Sequence, residues 1–161
     1  MGSKKELIFD GSGLKIALVS SDYNDSIVNE LIRGAKEGLS LCGILDKDIF
    51  HVSVPGAFEI PFLAQKLSRS KKFDALICLG CVIRGETSHY DLICNEVTKG
   101  IMQVSLETEV PIILSLVTTE NLEQAIERSR IGMNNKGYEG ALSAVQMCIS
   151  IKNSNQGILL I

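Results

Sequence analysis

Apolar and polar positions along the chain alternate between short apolar runs and longer segments with helical spacing. Lys15 to Ser20 (KIALVS) is a β-branched apolar run that predicts a strand. Asn24, Asp25 and Ser26 then offer capping side chains for a helix carrying Ile27, Val28, Leu31, Ile32, Ala35 and Leu39 and ending near Gly43. The unit repeats with Ile49 to Val54, closed by Pro55-Gly56, and helical spacing over Phe58 to Leu67. A third unit pairs Ala75 to Leu79 with a helix from about Tyr90 to Leu106. A fourth pairs Ile112 to Val117 with a helix from about Asn121 to Arg130, and a last helix is expected from about Tyr138 to Ile151. Four strands separated by helices predict a parallel sheet covered on both faces, a small doubly wound α/β sandwich, because right-handed crossovers lay the helices over the sheet. Glu6 to Phe9 is a weak strand signal set apart by Asp10-Gly11-Ser12-Gly13. With no partner in its own sheet, it is read either as a strand donated to a neighbouring subunit or as a loose terminus.

Composition narrows the class. At 161 residues, 45% hydrophobic and without low-complexity blocks, the chain fits one domain over 1–161, with an amino-terminal arm at 1–13 and a carboxyl-terminal tail at 152–161. A formal net charge of −3 and no basic stripe beyond Lys71-Lys72 leave no electrostatic footprint for nucleic acid or an anionic membrane. Small molecules and other protein chains are the expected partners. Met1 to Phe9 lacks the apolar core of a signal peptide, and no apolar run approaches the ~20 residues that span a bilayer, so a cytoplasmic protein is expected. Cys78-Leu-Gly-Cys81 is formally a Cys-x-x-Cys, but side chains three apart on a strand point to opposite faces. The five cysteines are therefore read as free thiols, and no metal or other cofactor is expected.

If the strands are parallel, their carboxyl ends share one edge, where open α/β sheets place ligands. The loops there carry Tyr23, Asn24, Glu59, the turn Arg84-Gly85-Glu86-Thr87-Ser88 and His89. No dinucleotide glycine motif, phosphate-binding P-loop, serine elbow or zinc signature is present. The turn before His89 leads into a helix whose free N–H groups and dipole suit an anion such as phosphate; alternatively, Ser88 merely caps the helix, with Asp91 completing an imperfect capping box. At the positive end of a helix the neutral, proton-accepting imidazole is the favoured form, which suits His89 to general base work. His51, inside a strand, is read as structural or exposed.

These residues carry a resemblance. VPGAFEIP at Val54 to Pro61, the pattern GxVIRGETxHYDxICNE at Gly80 to Glu96, TTENLEQAIER at Thr118 to Arg128, and Asn135-Lys136-Gly137 resemble the lumazine synthase family, in order from about Gly13 to Ile149. The resemblance implies a flavodoxin-like three-layer α/β/α subunit, assembled into pentamers or icosahedral shells of sixty. It also implies a cytoplasmic transferase of riboflavin biosynthesis that needs no cofactor. That enzyme condenses 5-amino-6-(D-ribitylamino)uracil with 3,4-dihydroxy-2-butanone 4-phosphate to give 6,7-dimethyl-8-ribityllumazine, phosphate and water. Carried over by position, His89 would be the general acid/base, Tyr23 would stack on the pyrimidine with Asn24 beside it, and Ala57, Phe58 and Glu59 would bind the ribityl chain. Cys81, Val82 and Ile83 would contact the pyrimidine, while Glu86, Thr87 and Arg128 would surround the phosphate, the Arg128 region being supplied by an adjacent subunit.

Two departures stand out. Leu114 occupies a substrate-facing position where the family commonly has an aromatic ring, and Ser129-Arg130-Ile131-Gly132-Met133-Asn134 stands where the family often reads Ala-Gly-Thr-Lys-Ala-Gly. A lysine near the phosphate is thereby lost, with Arg130 as a candidate replacement. They keep open an alternative, a shell-forming or flavin-binding paralogue with weakened catalysis.

Overall fold

The structure, a computed structural model, describes residues 8–132 and 134–157. Four parallel strands, β1 (Ile16–Ser21), β2 (Ile49–Val54), β3 (Ala75–Ile83) and β4 (Ile112–Thr119), form one sheet in the order β2-β1-β3-β4. Register aligns Ile16 with Ile49 and with Ala75, and Leu76 with Ile112. The helices are α1 (Asp25–Leu41), α2 (Ile60–Arg69), α3 (His89–Thr108), α4 (Leu122–Ser129) and α5 (Lys136–Asn155), with a single 3₁₀ turn over Ala57–Glu59 ahead of α2. This is the three-layer, flavodoxin-like α/β/α arrangement with a four-stranded parallel sheet.

The period-2 alternation of strand side chains divides the core into two. Ile16, Leu18, Ile77 and Leu79 pack with Leu31, Leu39, Ala141 and Val145 of α1 and α5, while Ala17, Val19, Leu76 and Cys78 pack with Ile60, Ala64, Val97 and Ile101 of α2 and α3. Cys78 and Cys81 fall in different cores, on opposite faces of the sheet.

β3 runs to Ile83, four residues beyond the strand expected from the pattern. Gly80 looks like a terminator in the sequence, yet it is a mid-strand glycine: a Cβ there would lie 3.0 Å from Ser21 Oγ and 3.3 Å from a Leu116 side-chain carbon. Glycine at this position answers to close packing rather than to a turn.

Asn135 joins α4 and α5 to α1. Its buried side chain donates to the carbonyls of Ser129 (2.6 Å) and Glu30 (3.0 Å) and accepts from the amides of Gly137 (2.8 Å) and Tyr138 (3.1 Å), so a wholly buried amide is fully satisfied. The neighbouring Gly137 lies against the Leu31 carbonyl with no room for a methyl group. Gly137→Ala is expected to destabilise the fold by about 2 kcal/mol, read as a lower urea midpoint; an unchanged midpoint would contradict this packing.

At the amino end, Ile8 and Phe9 lie in a bend, and the rest of the candidate donated strand, Glu6 and Leu7, lies outside the described residues. Residues 158–161 of the tail also lie outside them, while α5 continues to Asn155, past the expected Ile151. No helix among the described residues is long and apolar enough to cross a membrane.

Candidate active site

β1 connects outward to β2, and β3 lies on the other side of β1, so the loops after β1 and β3 part at the carboxyl edge and leave a crevice. A cleft of about 580 Å³ opens there, lined by Tyr23 and Asn24 after β1, Gly56 to Glu59 after β2, Cys81, Val82 and Ile83 at the end of β3, and Gly85, Thr87, His89, Tyr90 and Ile93 beyond it. One chain thus brings together ten of the residues singled out from sequence: Tyr23, Asn24, Ala57, Phe58, Glu59, Cys81, Val82, Ile83, Thr87 and His89. Gly56, Gly85, Tyr90 and Ile93 complete the lining.

The cleft is half a container. Tyr23 is 73% exposed and Phe58 59% exposed, so two aromatic rings stand at its rim with one face open. Asn24 does not cap α1 with its side chain, as the sequence suggests. It adopts a left-handed backbone, φ 58°, its carbonyl accepts from Ile27 and Val28, and its amide reaches across to donate to the Cys81 carbonyl at 2.9 Å. Its side chain therefore ties the first loop to β3, while only its carbonyl serves the helix.

At the head of α3, neither Ser88 nor Asp91 makes the capping box that was the alternative to anion binding. Ser88 forms no side-chain capping bond, the His89 amide meets Thr87 Oγ1 only at 3.4 Å, and Asp91 is taken by Arg84. The Arg84 guanidinium holds the Asp91 carboxyl below its ordinary range through two hydrogen bonds. Burial pushes the Tyr90 hydroxyl and the Cys94 thiol upward.

Glu86 is exposed in the same turn and does not line the cleft. Leu114 and Arg128 do not reach it either. Leu114 is 46% exposed on the edge strand β4. Arg128 lies at the end of α4 in a separate groove of about 220 Å³, with Glu127, Asn134, Lys136 and Glu139. Lys136 Nζ sits 2.6 Å from Glu139 Oε2, and Arg128 Nη1 donates to the Gln124 carbonyl at 3.2 Å. Lys136 in this groove is a second cation that the sequence reading passed over. The Asn-Lys-Gly triplet gave the signal, since Asn135 caps α5 and puts Lys136 at that helix's first position. Arg130 does not line this groove.

His51 lies on the edge strand β2 with much of its side chain exposed; its Nε2 is 2.8 Å from Ser20 Oγ, and partial desolvation of the ring and nearby Lys36 disfavour its charged form. Burial raises Cys78 to about 12 and Cys81 to about 11. Among the described residues no group of three or more His, Cys, Asp or Glu side chains could hold a metal ion. Since a raised value means no thiolate at pH 8, Cys78 and Cys81 are expected to resist iodoacetamide in the native protein and to react only after denaturation; rapid native labelling of either, read by peptide mass, would contradict their burial.

Residues 13–152 match the family model described as 6,7-dimethyl-8-ribityllumazine synthase.

Proposed function

Because this chain belongs to the 6,7-dimethyl-8-ribityllumazine synthase family, which places it in riboflavin biosynthesis, we propose that its cleft condenses 5-amino-6-(D-ribitylamino)uracil with 3,4-dihydroxy-2-butanone 4-phosphate. The observation that carries this reading is the joint presence, in one cleft at the switch point of the sheet, of His89 at a helix head, aromatic Tyr23 and Phe58, and the carboxylate of Glu59. The pyrimidine stacks on Tyr23 and meets the backbone and side chains of Cys81 to Ile83. Glu59 accepts from the ribityl hydroxyls, and Ala57 and Phe58 wall the chain.

The pyrimidine amine attacks the ketone, and loss of water gives an imine. A proton is then taken from the hydroxyl-bearing carbon as phosphate leaves the neighbouring one, and the enol so formed tautomerises to a new carbonyl, on which the ribitylamino nitrogen closes the ring with loss of a second water. Each step moves protons between nitrogen, carbon and oxygen, and the His89 imidazole in the cleft can both accept and return them. Thr87 and the N–H groups at the start of α3 face the departing phosphate, with Glu86 in the same turn.

A dianion also needs a cation, and the cleft holds none of its own among the residues that line it. We assign that charge to Arg128 of an adjacent subunit, with Lys136 beside it and Leu114 closing the pyrimidine face, in a pentamer or a shell built from pentamers. Two open aromatic rims in the cleft and a solvent-facing Arg128 groove support this reading. So do Phe62, Leu92, Met102 and Leu106, which leave an apolar surface on α2 and α3 that a neighbour can cover. Lys136, although paired with Glu139, lies in the Arg128 groove and is a candidate for the lysine that Gly132 does not supply. Formation of the lumazine from both substrates, followed by absorbance, tests the reaction. Turnover by the purified assembly is expected, and no turnover by folded, assembled protein would contradict it.

A further inference from the structure

We propose that Arg84 is a positioning residue for His89, holding the first turn of α3 against the sheet rather than binding the phosphate. The inference rests on the reaction assigned above. Arg84 follows the last residue of β3, and its amide donates to the Thr119 carbonyl at 2.9 Å, carrying the β3–β4 pairing into the turn. Its guanidinium is engaged on three sides. Nη1 and Nη2 bond the two oxygens of Asp91, each at 2.9 Å, Nε bonds Glu120 at 2.7 Å, and the guanidinium carbon lies 4.2 Å from the Tyr90 ring centroid.

The grip falls on the two residues that follow His89, while Glu120 follows β4. The head of the catalytic helix is therefore fastened to the sheet through one side chain. Ser88 makes no capping bond and Thr87 offers only a 3.4 Å contact, so neither fixes this helix start. A forked, bidentate pair fixes direction as well as distance, which a lysine in this place does not do.

The same geometry excludes Arg84 as a phosphate ligand. Two carboxylates already outweigh its single positive charge, and an incoming dianion would meet them first. The partners are largely exposed, with relative side-chain exposure of 52% for Asp91 and 59% for Glu120, so the network contributes little to global stability.

The test is a double-mutant cycle on the assembled protein with both substrates. Arg84→Ala is expected to lower kcat roughly tenfold by loosening the imidazole, leave KM for the phosphate substrate within about twofold, and add no further loss when made in a His89→Ala background. Arg84→Lys keeps the charge without the fork and is expected to fall between; it carries the test if Arg84→Ala does not assemble. Wild-type kcat in both Arg84 variants would overturn the proposal. So would a tenfold rise in KM alone, which would mark a phosphate ligand, or losses that add to that of His89→Ala, which would mark a general structural role. An inactive wild-type assembly would instead overturn the assigned reaction and this inference with it, a result distinct from an active enzyme indifferent to Arg84.

Discussion

Replacing His89 with alanine is expected to lower kcat on the order of 10²-fold while shifting KM for either substrate by no more than about threefold. The imidazole projects from the first residue of α3 and is exposed, so its removal opens no cavity in either core and the subunit should fold and assemble as before. On the proposed reaction, what is lost is a side chain that takes a proton in one step and returns it in another, leaving water to do both. A hundredfold loss corresponds to about 2.7 kcal/mol of transition-state stabilisation, within the usual reach of one general acid/base. Steady-state kinetics with each substrate varied in turn would separate the parameters. An equal loss in binding and turnover would deny His89 a role confined to the transition state.

Arg128→Ala is expected to act on the other parameter, raising KM for the phosphate-bearing substrate by about 10²-fold with a much smaller change in kcat at saturation. The two arginines in question differ in how far their charge is already committed. Arg84 is spent on two carboxylates and an aromatic ring, whereas Arg128 makes one hydrogen bond among the described residues, to the carbonyl of Gln124 within its own helix. A guanidinium with most of its donors unused, beside Lys136, is the better partner for an incoming dianion. Equal KM values in wild type and variant would remove Arg128 from the phosphate site.

The strand and helix order was legible in the sequence because apolar runs of period 2 and amphipathic segments of period 3.6 alternate cleanly and loops are short. Legibility failed where one residue type serves different physical ends. Gly80 punctuates in most sequences but here accommodates Ser21 and Leu116, so β3 is longer than the pattern suggests. Asn24 and Ser88 have capping side chains, yet neither caps: Asn24 finds the Cys81 carbonyl of a distant strand, and Asp91 prefers the charge of Arg84 to the free amides of its helix. The first choice depends on a partner that only the tertiary fold brings close, the second on an arginine just across the turn whose charge outcompetes the helix amides.

For the site, the cleft residues were readable because they follow strand ends, and the topology collects strand ends at one edge. Arg128 and Leu114 were placed with them only through the family pattern. In a single chain they sit elsewhere, on α4 and on the outer strand, where no rule of local sequence would connect them to His89. Glu86 shows the converse, a residue next to the site in sequence whose side chain does not line the cleft.

The central claim is that the complete site is made by two subunits, the cleft of one and the Arg128 groove of the next. The most direct test mixes His89→Ala and Arg128→Ala subunits, dissociates and reassembles them together, and measures turnover at a phosphate-substrate concentration where each variant alone is nearly silent. If the site is shared, random reassembly at equal amounts pairs an intact cleft with an intact Arg128 in roughly a quarter of sites, and that fraction of wild-type activity should return. If the mixture is no more active than the average of the two variants, each chain carries its own complete site and the account is wrong.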